Sequence, residues 1–201
     1  NSNSICLNGK PLLQDLEKRL GQPVRISNDA DCFALSEATD GAAANAGIVF
    51  GVILGTGVGA GIIANGKPLS GPNAIVGEWG HNPLPWPRND ERPGSACYCG
   101  QKGCIETFLS GPGLSNSHFR VTGHKYDAME IVEKAGKGDR DCEHSLKMYE
   151  NRLARALSHV INILDPDVIV LGGGLSNIQR LYVNVPKQWG HYVFSTAWIP
   201  D

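Results

Sequence analysis

The stretch Ile-Val-Phe-Gly-Val-Ile-Leu-Gly-Thr-Gly-Val-Gly-Ala-Gly-Ile-Ile-Ala, residues 48–64, decides the fold of this chain. Its two apolar runs, Ile48–Leu54 and Val58–Ala64, have the length and composition of buried strands. The link Gly55-Thr56-Gly57 suits a tight turn, and Asn65-Gly66 indicates a second turn into a further strand. The stretch therefore predicts a β-meander.

Helical patterns flank the meander. Apolar residues at spacings of three and four from Leu146 to Leu164 place one stripe on a long helix, which Asp165-Pro166 ends before a buried strand at Val168–Leu171. Further helices are predicted at Pro11–Leu20, Ala30–Ala46 and Tyr126–Lys137, together with a short helix after Glu106 and a helix capped by Ser176. A strand is predicted at Val24–Ser27. The segment Pro83–Gly94 is predicted to be an exposed loop, and a polar loop follows the short helix after Glu106. The chain is predicted to be an α/β protein with mixed sheets.

Composition limits the kinds of partner. A formal net charge of -2 argues against nucleic-acid binding, which depends on Lys and Arg at phosphates. We expect no membrane partner, because no apolar run approaches the roughly 18–20 residues that span a bilayer and no signal-peptide pattern opens the chain. The scattered Cys6, Cys32 and Cys142 have no disulfide-framework spacing, which favours reduced thiols and a cytoplasmic location.

Three cysteines within eight residues, Cys97, Cys99 and Cys104, form with the upstream His81 a set that we call the His-Cys cluster. These are ligand types of a tetrahedral zinc site, and four protein ligands would make the ion structural, with no position left for water. Unligated thiols or a disulfide are the simpler alternative, and an iron-sulfur cluster fits the spacing less well.

Two acids accompany the cluster, Glu78 in Glu-Trp-Gly-His and Glu106 two residues after Cys104. If the thiols and His81 fill the metal site, these carboxylates are free to accept hydrogen bonds from hydroxyl groups. A metal-bound imidazole offers its second nitrogen as a donor as well. Alternatively, both acids are ordinary surface residues.

Glycine-rich segments are candidate nucleotide sites. We call residues 54–61, with Gly55, Thr56, Gly57 and Gly59, the glycine turn; its backbone N–H groups suit a phosphate, but a tight hairpin explains it equally well. It is neither a Walker P-loop nor a dinucleotide-binding fingerprint. The run Gly172, Gly173 and Gly174 admits a nucleotide base or serves as a cramped turn after a strand.

The pair Asn28 and Asp29 lies where the predicted strand at Val24–Ser27 meets the next helix. There the Asp29 carboxylate could accept a proton from a substrate hydroxyl, while Asn28 offers both a donor and an acceptor to sugar-like hydroxyls. The structural alternative is that Asp29 or Asp31 caps the helix.

Taken together, these segments resemble the ROK family of bacterial sugar kinases and sugar-responsive repressors. The resemblance rests on Asn28-Asp29-Ala30, the glycine turn, Gly77-Glu78-Trp79-Gly80-His81, the Cys97–Glu106 run and Leu171-Gly172-Gly173-Gly174, in family order over nearly the whole chain. The bacterial fructokinase (mannokinase) branch is the most similar. The resemblance implies an actin-like, hexokinase-type ATPase fold (two-lobed, ribonuclease H-like) with an incomplete N-terminal lobe: residues 1–46 as a remnant of the sugar-binding lobe and 47–201 as the C-terminal lobe.

The resemblance also implies roles for individual residues. Asp29 is the catalytic base for the sugar's 6-hydroxyl. Asn28, Glu78, His81 and Glu106 hold the other hydroxyls. Gly55, Thr56, Gly57 and Gly59 match the second phosphate motif, Gly172, Gly173 and Gly174 the adenosine-binding turn, and His81, Cys97, Cys99 and Cys104 the structural zinc ligands. The expected cofactors are Zn²⁺ and Mg²⁺ with ATP, and the expected assembly is a homodimer.

Fructose is the first expected substrate, and glucose, mannose or an N-acetylhexosamine are the alternative substrates. A different class of function is a sugar-sensing repressor of the same family, whose DNA-binding domain these residues lack. One departure is that the family's N-terminal Asp-x-Gly-Gly-Thr phosphate motif does not occur in these 201 residues. We therefore expect a longer parent chain, and little kinase activity from this polypeptide alone.

Overall fold

A mixed sheet lies at the centre of the structure, a computed structural model that describes residues 5–7 and 9–194. Its strands are β1 (Ile48–Leu54), β2 (Val58–Ala64), β3 (Lys67–Pro68) and β4 (Val168–Gly172), in the order β3-β2-β1-β4. The first three are antiparallel neighbours, which confirms the meander, and β4 pairs parallel to β1. The sheet therefore brings the end of β4 beside the end of β1.

Helices cover both faces of the sheet. They are α1 (Leu12–Leu20), α2 (Asp29–Thr39), α3 (Glu106–Leu109), α4 (Gly111–Thr122), α5 (Ala128–Gly136), α6 (Arg140–Leu164), α7 (Leu181–Asn184) and α8 (Pro186–Trp189). Helix α2 packs on one face through the buried Ala30 and Ala34. On the other face the predicted stripe of α6 is buried around Tyr149 and Leu153. Among the described helices, none is both long and apolar enough to cross a bilayer.

Local interactions explain where the helix boundaries differ from the prediction. Helix α2 ends at Thr39 and not at Ala46, because the Glu37 carboxylate accepts a hydrogen bond from the Ala42 N–H and residues 41–45 turn back. The predicted strand at Val24–Ser27 does not form: these residues belong to no strand of the sheet in the described part of the chain. Ser176 lies inside a 3-10 turn, where its hydroxyl donates to the Gly173 carbonyl, and does not cap a helix.

Helix α4 occupies the segment predicted to be a polar loop. Ser110 caps it by accepting a hydrogen bond from the Gly113 N–H at 3.1 Å, and Pro112 lies in the first turn. Both are helix-start features. The sequence lacks a clear apolar stripe here, so the helix was not predicted. The structure shows that α4 packs on the core through the buried side chains of Leu114 and His118.

The proline-rich segment 83–94, predicted to be an exposed loop, is anchored by a buried ion pair. Glu91 is 4% exposed, and its Oε1 accepts hydrogen bonds from Arg152 Nε at 2.8 Å and Arg155 Nη2 at 2.7 Å. Its other oxygen accepts from the Arg88 N–H at 2.8 Å. Burial alone would raise the pKa of Glu91, but the hydrogen bonds from Arg155, Arg152 and the Arg88 backbone outweigh it and lower the pKa to about 2. The ionised form of Glu91 therefore holds the loop on α6.

Replacing this carboxylate should strongly destabilise the fold. In Glu91→Gln, two buried guanidinium groups lose their negative partner, and we expect the free energy of unfolding to fall by about 3–5 kcal/mol. Urea denaturation followed by circular dichroism measures the change. The control, Glu133→Gln, breaks the exposed Glu133–Lys137 pair and should lower the free energy of unfolding far less than Glu91→Gln, because water screens that pair. Equal losses in the two variants would show that the buried pair does not stabilise the loop.

Candidate functional site

The turn that carries Glu78 and His81 lies directly on strand β2. It is a 3-10 turn over Glu78–His81, and the preceding Gly77 has a φ of 84°. A Cβ on Gly77 would stand 1.9 Å from a carbonyl oxygen of β2, so only glycine allows this approach. Within the turn, buried Trp79 packs edge-on against Phe50 of β1. These contacts fix the positions from which the Glu78 and His81 side chains extend.

The four side chains of the His-Cys cluster converge. One ligand atom from each of His81, Cys97, Cys99 and Cys104 lies within 4.8 Å of all the others. The Cys97 Sγ is 3.5 Å from His81 Nδ1, and the Cys99 Sγ is 3.6 Å from the Cys104 Sγ. A tetrahedral zinc ion with Zn–S bonds of about 2.3 Å requires sulfur atoms about 3.8 Å apart. The arrangement fits a tetrahedral zinc ion.

The sulfur spacing argues against the disulfide alternative. A disulfide requires about 2.05 Å between its sulfur atoms, and the cysteines of the described residues are free. Burial, reinforced by hydrogen bonding with Cys99 and Cys97, raises the pKa of the Cys104 thiol to about 12. Such a thiol ionises at neutral pH only beside a cation, and zinc would supply that charge. Four protein ligands would give the ion a structural role.

The second nitrogen of His81 already has a partner, Tyr98. The His81 Nε2 lies 2.9 Å from the Tyr98 hydroxyl, and the two rings meet edge-on at 5.0 Å. If Nδ1 binds a metal ion, Nε2 carries the proton and can donate a hydrogen bond to the phenol oxygen. Burial and then the nearby charges of Glu106, Cys97 and Glu78 raise the pKa of Tyr98. Tyr98, which the sequence analysis did not single out, therefore lies beside both candidate sugar-binding acids.

Glu106 links the His-Cys cluster to the glycine turn. It begins α3 two residues after Cys104, and its Oε2 accepts a hydrogen bond from the Val58 N–H at 2.9 Å. At the other end of α3, the Gly111 N–H donates to the Gly55 carbonyl at 2.8 Å. The segment from Cys104 to Gly111 thus holds the glycine turn on both flanks.

The two glycine-rich segments meet at the ends of β1 and β4. Gly173 has a φ of 81°, and a Cβ there would stand 2.5 Å from the Leu54 carbonyl oxygen. In the glycine turn, the Gly55 N–H bonds to the Gly57 carbonyl at 3.0 Å and Thr56 is exposed. The carboxyl ends of parallel strands are where ligands of open α/β sheets bind. The structure therefore brings the candidate nucleotide-binding residues to one place.

Asn28 caps helix α2. Its Oδ1 accepts hydrogen bonds from the Ala30 N–H at 2.8 Å and the Asp31 N–H at 3.2 Å. Asp29 makes one local contact, to the Ala30 N–H at 3.0 Å, and is exposed. Capping thus falls mainly to Asn28 and not to Asp29 or Asp31, and the Asp29 carboxylate is accessible to a substrate hydroxyl.

A cleft of about 340 Å³ lies between α2 and the segment after β3. Of the candidate sugar-binding residues, the described part of the chain places Asn28 and Glu78 in its walls, whereas Asp29, His81 and Glu106 lie outside them. Asn28 and Glu78 are 50 positions apart in the sequence, and the fold brings both to this cleft.

Comparison with known proteins identifies the family. The model of the ROK family matches residues 1–201. The chain belongs to the ROK family. Over 202 residues it is 40% identical to the N-acetyl-D-glucosamine kinase of Vibrio vulnificus (strain YJ016), a match that covers 98% of this chain and 67% of that relative. The chain thus spans about two thirds of the length of this curated relative.

Solved ROK structures confirm the fold. The ROK family glucokinase from Streptomyces griseus, in complex with glucose and AMPPNP, has a TM-score of 0.81 and 26% identity, covering 95% of this chain and 65% of that one. A ROK family transcriptional regulator, a homologue of the E. coli MLC protein, has a TM-score of 0.76 and 25% identity, covering 91% of this chain and 48% of that one. The predicted actin-like, hexokinase-type ATPase fold is confirmed for the part of the fold that this chain spans.

Metal analysis tests the His-Cys cluster. The purified protein should contain about one zinc per chain, and Cys104→Ser should lose it because a hydroxyl is a poor zinc ligand. Cys142→Ser is the control, since Cys142 is equally buried but lies outside the cluster. Elemental analysis by mass spectrometry measures the ratio. Zinc retained in Cys104→Ser, or lost equally in both variants, would contradict the assignment.

Proposed function

We propose that this chain is the main part of an ATP-dependent hexose kinase that transfers the γ-phosphate to the 6-hydroxyl of a sugar. One observation carries the proposal: the Cys104–Gly111 segment joins the His-Cys cluster to the glycine turn, which in turn meets Gly173. The candidate sugar-binding residues beside the His-Cys cluster and the candidate phosphate site in the glycine turn are thus parts of one connected structure. The 40% identity to an N-acetyl-D-glucosamine kinase supports the same activity.

In the proposed mechanism, Asp29 is the general base. Its exposed carboxylate accepts the proton of the 6-hydroxyl as that oxygen forms a bond to the γ-phosphorus and the bond to the ADP oxygen breaks. Asn28, Glu78, His81 and Glu106 orient the sugar through its other hydroxyls. The glycine turn, with its exposed Thr56 hydroxyl, would face the phosphates, and Gly172, Gly173 and Gly174 would lie against the adenosine. Mg²⁺ bound with ATP supplies charge neutralisation at the phosphates.

His81 and Glu106 each have a contact that the proposed substrate must share or replace. The Nε2 of His81 lies within hydrogen-bond distance of the Tyr98 hydroxyl, and Glu106 uses Oε2 for the Val58 N–H. Sugar binding at His81 therefore requires that the exposed Tyr98 side chain moves away, or that its hydroxyl bridges His81 and the sugar. At Glu106, the sugar takes the second carboxylate oxygen while Oε2 stays on the glycine turn.

The comparisons change the order of the candidate substrates. The sequence favoured fructose through its resemblance to the fructokinase branch, whereas the curated relatives at 39–40% identity are N-acetyl-D-glucosamine kinases. We therefore propose N-acetylglucosamine as the first candidate and retain fructose, glucose and mannose as competitors. A homodimer, a cytoplasmic location and the division into residues 1–46 and 47–201 remain predictions.

A sugar-sensing repressor is the second candidate function, favoured by the similarity to the transcriptional regulator. Two features support the enzyme instead. Asp29 is exposed and therefore accessible to a substrate, and the glycine turn is held on both flanks by the segment that leaves the His-Cys cluster.

A coupled ADP-release assay with a panel of hexoses tests the proposal in the natural gene product that carries residues 1–201. With the preferred hexose, Asp29→Asn should lower kcat by about 10²–10⁴-fold because the base is lost. The control is Asp40→Asn, an exposed carboxylate at the other end of α2, which should keep the parent rate. Equal rates in the parent and Asp29→Asn would refute the base assignment, and no turnover with any hexose would refute the kinase.

A further inference from the structure

Tyr98 occupies the nitrogen of His81 that the His-Cys cluster leaves for other contacts. Nδ1 of His81 lies 3.5 Å from the Cys97 sulfur, so Nε2 is the nitrogen that can meet a group outside the cluster. Nε2 lies 2.9 Å from the Tyr98 hydroxyl, and the two rings meet at 90°. Tyr98 is itself 64% exposed. The histidine is thus already hydrogen-bonded, and its partner is a side chain that a ligand can reach from solvent.

The backbone around Tyr98 is held in a tight turn. Tyr98 lies between two members of the His-Cys cluster, Cys97 and Cys99. The Cys97 N–H donates to the Gln101 carbonyl at 2.9 Å, and the Cys97 carbonyl accepts from the Gly100 N–H at 3.0 Å. This turn fixes the point from which the ring extends, and the bond to the histidine fixes the position of the hydroxyl.

The Tyr98 hydroxyl supplies a donor that the neighbouring acids lack. As carboxylates, Glu78 and Glu106 only accept hydrogen bonds, and the charges of both act on Tyr98. A phenol oxygen that accepts a hydrogen bond from His81 still has its own proton to donate. A hexose needs both kinds of partner, because each of its hydroxyl groups is a donor and an acceptor. Tyr98 therefore complements the two acids.

Displacing Tyr98 from His81 is the less favourable way to bind a sugar. A sugar hydroxyl that took the place of the phenol would exchange one hydrogen bond for another, so this contact would add little to the free energy of binding. A sugar that binds to the phenol keeps the existing bond and adds a new one. Linked hydrogen bonds also polarise one another, which strengthens each of them.

We propose that the Tyr98 hydroxyl contacts the sugar and that His81 acts through it as a positioning residue. The phenol proton is donated to a hydroxyl oxygen of the hexose, while the phenol oxygen accepts a hydrogen bond from His81 Nε2. Tyr98 is then a further sugar-binding residue. The inference rests on the proposed hexose kinase function and refines the role given there to His81.

Calorimetry of sugar binding without ATP tests the contact in the natural gene product that carries residues 1–201. N-acetylglucosamine, fructose, glucose and mannose are titrated in turn, and the sugar bound most tightly is used for the variants. Tyr98→Phe keeps the ring and removes the hydroxyl, so its Kd should rise about threefold to tenfold, the effect of one lost hydrogen bond. Binding as tight as in the parent, or tighter, would overturn the proposal, because the phenol would then merely cover His81.

The matched control is Tyr182→Phe. Tyr182 is also an exposed tyrosine whose hydroxyl makes a hydrogen bond, to the Ser176 carbonyl. Its loss should leave the Kd for the sugar within twofold of the parent value. An equal rise of Kd in the two variants would contradict a specific role for Tyr98.

Monodeoxy derivatives of the same sugar separate a direct contact from a structural role. In the parent, the derivative that lacks the contacted hydroxyl should bind more weakly than the intact sugar. In Tyr98→Phe this penalty should shrink to less than twofold, while the penalties at the other positions stay unchanged. A merely structural role would weaken all derivatives alike. Absence of such coupling at every position would overturn the contact.

Because ATP is absent, these outcomes do not depend on phosphate transfer. If the parent binds the sugar and shows the Tyr98 coupling but releases no ADP in the coupled assay, the kinase proposal fails and the Tyr98 contact stands. If the parent phosphorylates the sugar and Tyr98→Phe keeps the parent affinity, the Tyr98 contact fails alone. A parent protein that binds none of the four sugars overturns both.

Discussion

The hydrogen bond from the Val58 N–H to the Glu106 carboxylate connects the parts of this molecule that the proposed function requires. Glu106 follows Cys104 by two residues, so its position depends on the His-Cys cluster, and Val58 lies within the glycine turn as the first residue of β2. The Gly111 N–H closes the same turn from the other side. Under the proposed function, recognition of a sugar and presentation of a phosphate would therefore not be independent in this fold. A structural zinc ion would act at a distance, by fixing the segment between Cys104 and Gly111.

The cluster needs a second anchor, because 15 residues separate His81 from Cys97 in the sequence. Helix α6 provides it. Arg155 donates to the carbonyl oxygens of Pro85 at 3.0 Å and Trp86 at 2.7 Å, and it pairs with Glu91 in the same connection. The long helix thus has two functions: its apolar stripe fills the core, and its buried arginine holds the chain that connects the first cluster ligand to the others. A metal ion would complete a geometry that α6 and the turn on β2 have largely set.

Much of this architecture could be predicted from the sequence, because its determinants are local. The meander follows from two apolar runs around a glycine-rich link, α6 from its apolar spacing, and the His-Cys cluster from the ligand types within a short segment. The features that could not be predicted depend on distant partners. Glu91 lies among prolines and charges, and nothing nearby indicates that Arg152 and Arg155, more than 60 residues later, enclose it. Tyr98 was recognised as a neighbour of His81 only from the structure, because its own sequence position does not indicate this contact.

Hydrogen exchange of the glycine turn, in zinc-loaded and chelator-treated protein, tests the central claim most directly. If the His-Cys cluster positions Glu106, removal of zinc should accelerate exchange at the Val58 and Gly111 amides, whereas exchange of the Ile131 amide in α5 should stay unchanged. Ile131 is fully buried away from the cluster and serves as the internal reference. Unchanged exchange at Val58 and Gly111 after complete loss of zinc would contradict the account, since the metal would then have no influence on the glycine turn.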